Sequence, residues 1–356
     1  MLDSQAVLDI LRPVQDPELQ KSLVELNMIR NVTIDAEGNV RFTLVLTTPA
    51  CPLREFIVED CQKAVKTLAG VGAVEVDVTA ETPQQKVTLP NQQGVPGIKN
   101  IIAISSGKGG VGKSTVAVNV AVALAQAGAK TGLLDADIYG PNAPTMLGLA
   151  SAKVMVQKDS KDQDVLEPAF NHGIKMVSMG FLIDPDQPVI WRGPMLNGII
   201  RQFLYQVDWG ELDYLVIDLP PGTGDAQLTL IQAVPMSGAV IVTTPQTVSL
   251  LDARRGLKMF EQLGAKVLGI VENMSYFIPP DLPNRRYDLF GSGGGEKTAQ
   301  ELGVPFLGGV PLEIPVREGG DRGIPIVVEF PDSAAAKALT AIAQQIAAKV
   351  SVAALT

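Results

Sequence analysis

The chain has 356 residues, of which 46% are hydrophobic and 19% are charged, so it can form two or three globular domains. Its formal net charge of −9 offers no basic surface for a polyphosphate backbone, and we expect no nucleic-acid partner. The first five residues lack the basic and apolar segments of a signal peptide, and no apolar run reaches the ~18 residues that span a membrane. We therefore expect a cytoplasmic protein without a membrane partner.

Residues 1–81 have the pattern of a small α+β domain. Proline and glutamine are frequent in the segment that follows, 82–97, which is predicted to be a linker. Helical spacing of apolar residues and alternating runs predict, in chain order, a helix over 4–11, a hairpin of strands 32–34 and 40–46, a helix over 52–68 and a strand over 74–78.

Residues 98–356 alternate apolar strand-length runs with helical segments, and a packed helix over 333–350 is predicted near the end. Strands that are apolar on both faces are typical of a parallel sheet covered by helices. We therefore predict an α/β fold, in which this parallel-sheet domain follows the small α+β domain. The predicted strands are 101–104, 131–134, 174–177, 214–217, 239–242 and 267–271.

A glycine-rich loop follows the first of these strands and opens a helical segment, which is the setting of a Walker A phosphate-binding loop. Its backbone N–H groups and the positive end of the helix dipole favour a bound phosphate. Lys113 is expected to reach the β- and γ-phosphates, and the Ser114 hydroxyl to bind Mg²⁺. The predicted nucleotide-binding residues are Gly107, Lys108, Gly109, Gly110, Val111, Gly112, Lys113, Ser114 and Thr115.

Lys108 adds a second cation to this loop. It can stabilise negative charge that develops during phosphoryl transfer, either on its own nucleotide or, like an arginine finger, on the nucleotide of a facing subunit. The alternative is a solvated lysine on a mobile loop. We predict that Lys108 and Lys113 are both catalytic.

Three carboxylates end two predicted strands. Asp135 and Asp137 follow one strand and can both face the crevice at its carboxyl end, where one of them should orient or deprotonate the attacking water. Asp218 ends the second strand and is the Walker B candidate. We expect Ser114, Asp135 and Asp218 to bind Mg²⁺, and the loop after Asp218 to sense the γ-phosphate.

Asn273 ends a further strand, where its amide can give an adenine edge the paired donor and acceptor it requires. A local turn satisfied by the asparagine side chain is the alternative. Residues 290–295 are glycine-rich but lack the Lys-Ser ending of a phosphate loop, so we predict a flexible flap.

Four motifs together resemble the Mrp/ApbC family of deviant Walker P-loop ATPases: residues 107–115, 135–141, 218–225 (Asp-Leu-Pro-Pro-Gly-Thr-Gly-Asp) and 272–275 (Glu-Asn-Met-Ser). Members are related to the MinD and ParA ATPases. The resemblance implies a cytosolic homodimer that binds ATP and Mg²⁺, hydrolyses ATP, slowly unless a partner accelerates it, and carries iron–sulfur clusters to assembly or acceptor proteins.

The resemblance also implies individual roles. Lys108 resembles the signature lysine that acts across the dimer, Asp137 the switch I catalytic carboxylate and Asp218 the Walker B residue. Asn273, with Pro311 and Glu313, resembles the adenine pocket. Residues 1–81 resemble the SufT-like domain that is often fused to these ATPases, through the segments 16–19 and 47–53.

One departure from the family pattern divides the functional hypotheses. Pro279 and Leu282 stand where cluster-carrying members have the two cysteines of a Cys-Pro-x-Cys motif, and neither residue can bind iron. One hypothesis is an ATPase that still handles clusters, transiently or shared with a partner. The alternative is a nucleotide-gated, partner-recruiting switch without cluster chemistry.

The chain has two cysteines and one histidine, too few for a four-ligand structural zinc site. Pro52 suits the first position of a helix, so we predict that Cys51 is its N-cap, with a lowered thiol pKa that favours transient thiol or cluster chemistry. A small residue in a tight turn is the alternative for Cys51. Cys61 is predicted to be buried, and His172 to lie in a solvated turn.

Overall fold

The computed structural model describes residues 2–85, 92–138, 140–153, 155–158, 164–182, 193–282 and 284–355. Residues 86–91 of the predicted linker lie outside these ranges. The chain divides into two compact units, Met1–Pro83 with Ala347–Thr356, and Gln84–Ile346. The last turns of the C-terminal helix belong to the first unit, where the Ser351 hydroxyl donates to the Thr47 carbonyl (3.2 Å).

The first unit is the small α+β domain that the sequence predicts. Its main sheet has the order β3-β4-β5, in which β3 and β4 are antiparallel and β4 and β5 are parallel. Val7, Phe42 and Ile57 are among its buried core residues. The elements are α1 (Ser4–Leu11), β1 (Gln15–Asp16), β2 (Lys21–Ser22), β3 (Ile29–Ile34), β4 (Val40–Leu46), α2 (Arg54–Val65) and β5 (Val74–Ala80).

Helix α2 begins two residues later than predicted. Leu53 is its N-cap, and the residues before it form turns, in which the Thr48 hydroxyl accepts from the Ala50 N–H and the Cys51 carbonyl from the Arg54 N–H. Pro52 therefore lies in a turn, and Cys51 is not the N-cap. The predicted N-cap position of Cys51 is wrong.

The second unit contains an eight-stranded sheet in the order β10-β11-β7-β12-β6-β13-β14-β15. Every neighbouring pair is parallel except β10 and β11, while β8 and β9 form a separate antiparallel pair. The strands are β6 (Ile98–Ser106), β7 (Thr131–Asp135), β8 (Met155–Lys158), β9 (Asp164–Glu167), β10 (Ala169–Asn171), β11 (Ile174–Ser178), β12 (Leu212–Asp218), β13 (Gly238–Thr243), β14 (Val267–Phe277) and β15 (Phe306–Leu312).

Helices pack against this sheet. Val116 to Leu124 of α3 are all buried, as expected for a helix surrounded by other elements. The last helix, Ala334–Leu355, is long and apolar enough to cross a membrane by length and composition alone, and 50% of its most apolar window is buried inside the protein. The helices are α3 (Lys113–Gln126), α4 (Ala143–Met146), α5 (Gly193–Tyr205), α6 (Asp225–Ala233), α7 (Thr247–Gln262), α8 (Gly294–Leu302), α9 (Ile314–Arg322), α10 (Ile326–Glu329), α11 (Ala334–Leu355) and a 3-10 turn at Met179–Leu182.

The sheet topology brings the predicted site residues to one edge. Strand β12 lies between β6 and β7, and Asp218 stands directly opposite Asp135 in the parallel register. The glycine loop follows the carboxyl end of β6. Strand β6 pairs with β12 on one side and with β13 on the other, so the chain order of the strands changes direction at β6. This is the switch point of an open α/β sheet, where ligands bind.

His172 differs from its prediction. It lies in a turn, as the sequence indicates, but it is half-buried and its Nε2 is 2.8 Å from the Gly323 carbonyl oxygen. The side chain is therefore bonded to another segment and is not simply solvated.

Candidate functional site

The glycine loop is shaped by close contacts on two sides. A side chain at Gly107 would collide with the backbone of Asp252 in α7, and one at Gly112 would collide with the Asn273 amide. Gly110 and Gly112 have φ angles of 78° and 79°, a conformation that glycine adopts without strain. Gly109 and Gly110 face open space instead, so a ligand can approach their backbone closely.

Helix α3 begins behind this loop without a side-chain cap, because its N-cap residue is Gly112. The first N–H groups of a helix have no partner within the helix, and together with the dipole they form an anion-binding site. The loop and helix therefore offer the predicted phosphate site.

Lys113 is almost completely buried at the start of α3. Its Nζ is 2.5 Å from Asp218 Oδ1 and 3.3 Å from Asp137 Oδ2. Burial alone would lower the pKa of Lys113, but the charges of Asp218 and Asp137 outweigh burial and raise it. The ammonium group is therefore charged, and it pairs with carboxylates at the place where phosphates are expected.

Asp135 is fully buried, and each of its carboxylate oxygens accepts a hydrogen bond. Its Oδ2 accepts from the Ser178 hydroxyl (2.9 Å) and its Oδ1 from the Asp137 N–H (3.1 Å). Burial, and then the charge of Asp218, raise the pKa of Asp135 to about 8. Two buried carboxylates so close together favour a cation between them.

Asp218 is also fully buried, and burial raises its pKa while Lys113 counteracts the shift. Its Oδ2 has no hydrogen-bond partner among the described residues. A buried carboxylate oxygen is costly unless a hydrogen-bond donor or a metal ion satisfies it. Asp218, Asp135 and the neighbouring Ser114 hydroxyl therefore fit Mg²⁺, whose preferred ligands are oxygen atoms.

The described residues hold no group of three His, Cys, Asp or Glu side chains placed to bind a metal ion by themselves. Magnesium at this site would accordingly depend on Ser114 and on phosphate oxygens as well as on the two carboxylates.

Lys108 lies apart from this cluster. It is half-exposed, and its carbonyl accepts from the Ser106 hydroxyl (2.9 Å). Its ammonium group forms no ion pair with the residues that the structure describes. Of the predicted catalytic residues, the fold therefore brings Lys113 and Asp137 together and leaves Lys108 at the rim.

A cavity of about 310 Å³ lies beside the glycine loop, within the second unit. Its lining includes Gly112, Thr115, Asn273, Pro311 and Glu313, all of which the sequence assigned to nucleotide binding. The Asn273 amide donates to the Val111 carbonyl (2.9 Å), so it contacts the loop instead of closing a local turn. A nucleobase in this cavity would lie next to phosphates bound at the glycine loop and the start of α3.

One residue at the site, Ser178, and one next to Asn273 in the chain, Glu272, were not assigned a role from the sequence. Ser178 fixes Asp135 because the two residues are opposite each other in the parallel register of β11 and β7. Glu272 is buried, and its carboxylate accepts from the Ser275 hydroxyl (2.9 Å) and from the Gly295 N–H at the start of α8 (2.6 Å). The Glu272 carboxylate therefore binds the start of α8, the helix that follows the glycine-rich segment 290–295. The flexibility of that segment stays a prediction.

The thiol chemistry predicted for Cys51 is not supported. Burial, together with the charges of Glu18 and Asp16, raises the pKa of Cys51 to about 11, although a backbone hydrogen bond from Leu53 opposes the shift. The predicted lowering of its pKa is wrong, because Cys51 packs against the core of the first unit. Cys61 is buried as predicted, and burial raises its pKa to about 12.

Pro279 and Leu282 lie in a loop that follows β14. The loop is closed by two backbone hydrogen bonds between Phe277 and Tyr287, each of 2.8 Å. Leu282 is 43% exposed. The positions at which a Cys-Pro-x-Cys motif would place its thiolates are therefore on a surface loop.

The parallel sheet, the uncapped α3 and the buried Lys113 define a P-loop nucleotide-binding protein. Residues 97–347 match the family described as NUBPL iron-transfer P-loop NTPase, and residues 4–78 match the family described as iron-sulfur cluster assembly protein. The first of these matches covers more than half of the chain.

Curated relatives match along nearly the whole length. A protein of Synechocystis sp. is 81% identical over 355 residues, with 100% of both chains covered. One of Escherichia coli strain K12 is 42% identical over 344 residues, which covers 97% of this chain and 90% of the relative. Both are named iron-sulfur cluster carrier protein.

Solved structures agree with the fold. A nucleotide-binding protein from Archaeoglobus fulgidus in complex with ADP has 41% identity and a TM-score of 0.57, and the match covers 67% of this chain and 91% of that one. MinD from Pyrococcus horikoshii, complexed with Mg-ADP, has 25% identity and a TM-score of 0.51, over 68% of this chain and 94% of that one.

The chain therefore belongs to the iron-sulfur cluster carrier family of P-loop NTPases. The resemblance to Mrp/ApbC ATPases with a SufT-like domain is confirmed. These relatives do not favour the alternative of a switch without cluster chemistry.

Proposed function

We propose that this protein is a Mg²⁺-dependent ATPase that works as a homodimer in iron–sulfur cluster carriage. The observation that carries the proposal is the position of Lys113, which is buried between Asp218 and Asp137 at the start of an uncapped helix. Since no side chain of the described residues caps that helix start, its N–H groups are available to phosphate oxygens. The adjoining cavity can take the base.

ATP binding would change the partners of Lys113. Its ammonium would turn from the two carboxylates to the β- and γ-phosphates, while the loop N–H groups donate to phosphate oxygens. Ser114, Asp135 and Asp218 would then hold Mg²⁺, which supplies positive charge to the phosphate oxygens. Asp137, released from Lys113, would orient the attacking water.

Association of two chains is supported by the surface around Lys108. Gly107 packs on the backbone of Asp252 in α7, whose first turns expose Val248 (64%) and Leu251 (51%). Leu289, which pairs with Gly291 in the segment that contacts Pro245 just before α7, is 56% exposed. Exposed apolar side chains grouped in this way mark protein interaction surfaces, and a second copy would bury them and bring Lys108 to the facing nucleotide.

The cluster would be cargo whose ligands are shared with another protein. Each chain has two cysteines, of which Cys61 is buried in the first unit. A cluster needs four ligands, most often thiolates, so one chain cannot hold it alone. We propose that donor and acceptor proteins of iron–sulfur assembly complete the ligand set during transfer, and that hydrolysis is slow until such a partner is present.

Phosphate release with and without Mg²⁺ tests the ATPase. We expect turnover by the wild type that is lost on chelation of Mg²⁺ and reduced about 100-fold or more in Asp137→Asn, which is nearly isosteric but does not orient water as a carboxylate does. Asp208→Asn, a change of the same kind outside the site, is the matched control. Turnover by Asp137→Asn equal to that of the control would refute the proposed role.

A further inference from the structure

The turn between β10 and β11 is unusual in its sequence. Asn171 pairs with Ile174, so the loop consists of two residues, His172 and Gly173. Their φ angles are 47° and 80°. Hairpin loops of this type favour asparagine followed by glycine, because both residues adopt the left-handed conformation. Histidine, with asparagine and aspartate, is among the non-glycine residues that adopt this conformation most often, so His172 is tolerated in the turn and its side chain is free to contact other segments.

The side chains of this turn bond two other segments. His172 Nε2 is 2.8 Å from the Gly323 carbonyl oxygen, and since a carbonyl only accepts, Nε2 carries the hydrogen. Asn171 Nδ2 donates to the Leu147 carbonyl (2.7 Å), and Asn171 Oδ1 accepts from the His172 N–H (2.9 Å). Gly323 is the C-cap of α9, and Leu147 is the C-cap of α4.

Helices α4 and α9 meet through their backbones at these same ends. A side chain at Gly323 would collide with the backbone of Gly148, and it would lie 3.1 Å from the Thr145 carbonyl oxygen. Gly323 and Gly148 have φ angles of 79° and 68°. The turn thus bonds to both members of a helix pair that touches without intervening side chains.

The same two helices form a wall of the 310 Å³ cavity. A change in their spacing would alter the width of the cavity. The lining residues that they contribute are Thr145 and Met146 from α4, and Val316, Arg317, Gly320 and Asp321 from α9.

We infer that His172 is a positioning residue for the nucleoside part of ATP. His172 and Asn171 hydrogen-bond to the C-terminal ends of α9 and α4, and so fix the distance between these helices at the value that the base and sugar require. The inference rests on the proposed nucleotide site and adds a residue that does not touch the ligand. Because the phosphates contact α3, these two hydrogen bonds affect the affinity for nucleotides but not the affinity for a phosphate chain alone.

The test uses the full chain with His172→Asn. Asparagine suits the left-handed turn, but its side chain is too short to reach Gly323. We expect the dissociation constant for ATP to rise about fivefold, the effect of losing one ordinary hydrogen bond. Binding of inorganic tripolyphosphate should be unchanged, and turnover at saturating ATP should be retained. Since asparagine suits the left-handed turn, the thermal midpoint should fall by no more than a few degrees. His172→Gln, which keeps a donor on a longer side chain, should recover part of the affinity.

Asn171→Ala removes the bond to Leu147 and the acceptor of the His172 N–H, and it should weaken ATP binding in the same direction. Equal weakening of tripolyphosphate binding, or no recovery of ATP affinity in His172→Gln, would overturn the inference. So would wild-type ATP affinity in both His172→Asn and Asn171→Ala. If the wild type itself bound no ATP, the proposed function would fail, and the inference with it.

Discussion

At the residue scale, Lys113 and Lys108 share one loop but differ in environment. Lys113 is buried and paired with two carboxylates, whereas Lys108 is half-exposed and forms no ion pair with the described residues. A buried, paired cation is part of a ligand site, and an unpaired cation at the rim is available to a second molecule. The two lysines should therefore have separable roles.

Lys113→Ala should abolish ATP binding. Each charge-assisted hydrogen bond to a phosphate contributes about 1.5–3 kcal/mol, so the dissociation constant should rise by about 100-fold or more. Titration calorimetry with a non-hydrolysable ATP analogue measures this, and Lys130→Ala, at an exposed lysine after α3, is the control. Analogue binding by Lys113→Ala at the affinity of the control would contradict the phosphate role.

Lys108→Ala should keep nucleotide binding and lose hydrolysis. A cation supplied to the transferring phosphoryl group accelerates related reactions by about 10³-fold or more, and turnover should fall by that order. Steady-state phosphate release and analogue binding, measured on the same preparation, separate the two effects. Turnover at the wild-type level would show that Lys108 is a solvated lysine.

Cys51 should react slowly with thiol reagents. Burial raises its pKa to about 11, two units above the ordinary 9.0, so near pH 7.5 the thiolate fraction, and with it the labelling rate, should be about 100-fold lower than for an unhindered thiol. The folded protein holds this proton more tightly than the unfolded chain, so raising the pH above about 9 should speed labelling and lower stability. Rapid labelling of Cys51 at pH 7.5, read by mass spectrometry, would disagree with its burial.

At the element scale, the contact between the glycine loop and β14 explains why one glycine is required and another is not. Gly112 has a left-handed backbone and faces the Asn273 amide, while a side chain at Gly109 would meet nothing within 4 Å. The first position joins two elements, and the second faces the open side of the loop.

Gly112→Ala should destabilise the protein, by about 1–2 kcal/mol for the left-handed conformation and more for the displaced amide. Gly109→Ala, the matched change, should leave the free energy of unfolding within about 0.5 kcal/mol of the wild type. Urea unfolding of the two variants gives the comparison. Equal stability would mean that Asn273 does not pack on the loop as described.

Strands that are apolar along their whole length were predictable from the sequence. Strands β6 and β12 fall where their apolar runs lie, because burial on both faces leaves an uninterrupted pattern. Strand β15 was missed because Phe306–Leu312 contains two glycines and a proline, which strands normally avoid. Proline is tolerated there because β15 is an edge strand.

The candidate site was predictable where the chemistry is local in sequence. The loop residues, Asp135 and Asp218 follow from a motif and from strand ends. The contact between Ser178 and Asp135 depends on which strands are neighbours, and no local pattern encodes strand order. The Cys51 prediction failed for a related reason, since its burial comes from packing within the first unit.

At the scale of the whole molecule, the proposed hydrolysis requires two chains that face each other. The apolar side chains of Val248, Leu251 and Leu289 are exposed in one chain, near the loop that carries Lys108. If a second chain covers them, each site receives Asp137 from its own chain and Lys108 from the partner.

Mixing a Lys108→Ala chain with an Asp137→Ala chain tests this arrangement most directly. Each variant alone should be inactive, whereas a mixed dimer has one site with an intact Asp137 and an intact facing Lys108. Random pairing should then restore about a quarter of wild-type phosphate release, as expected for a two-fold symmetric dimer. Mixed dimers confirmed by differential tagging but without restored turnover would contradict hydrolysis across the interface.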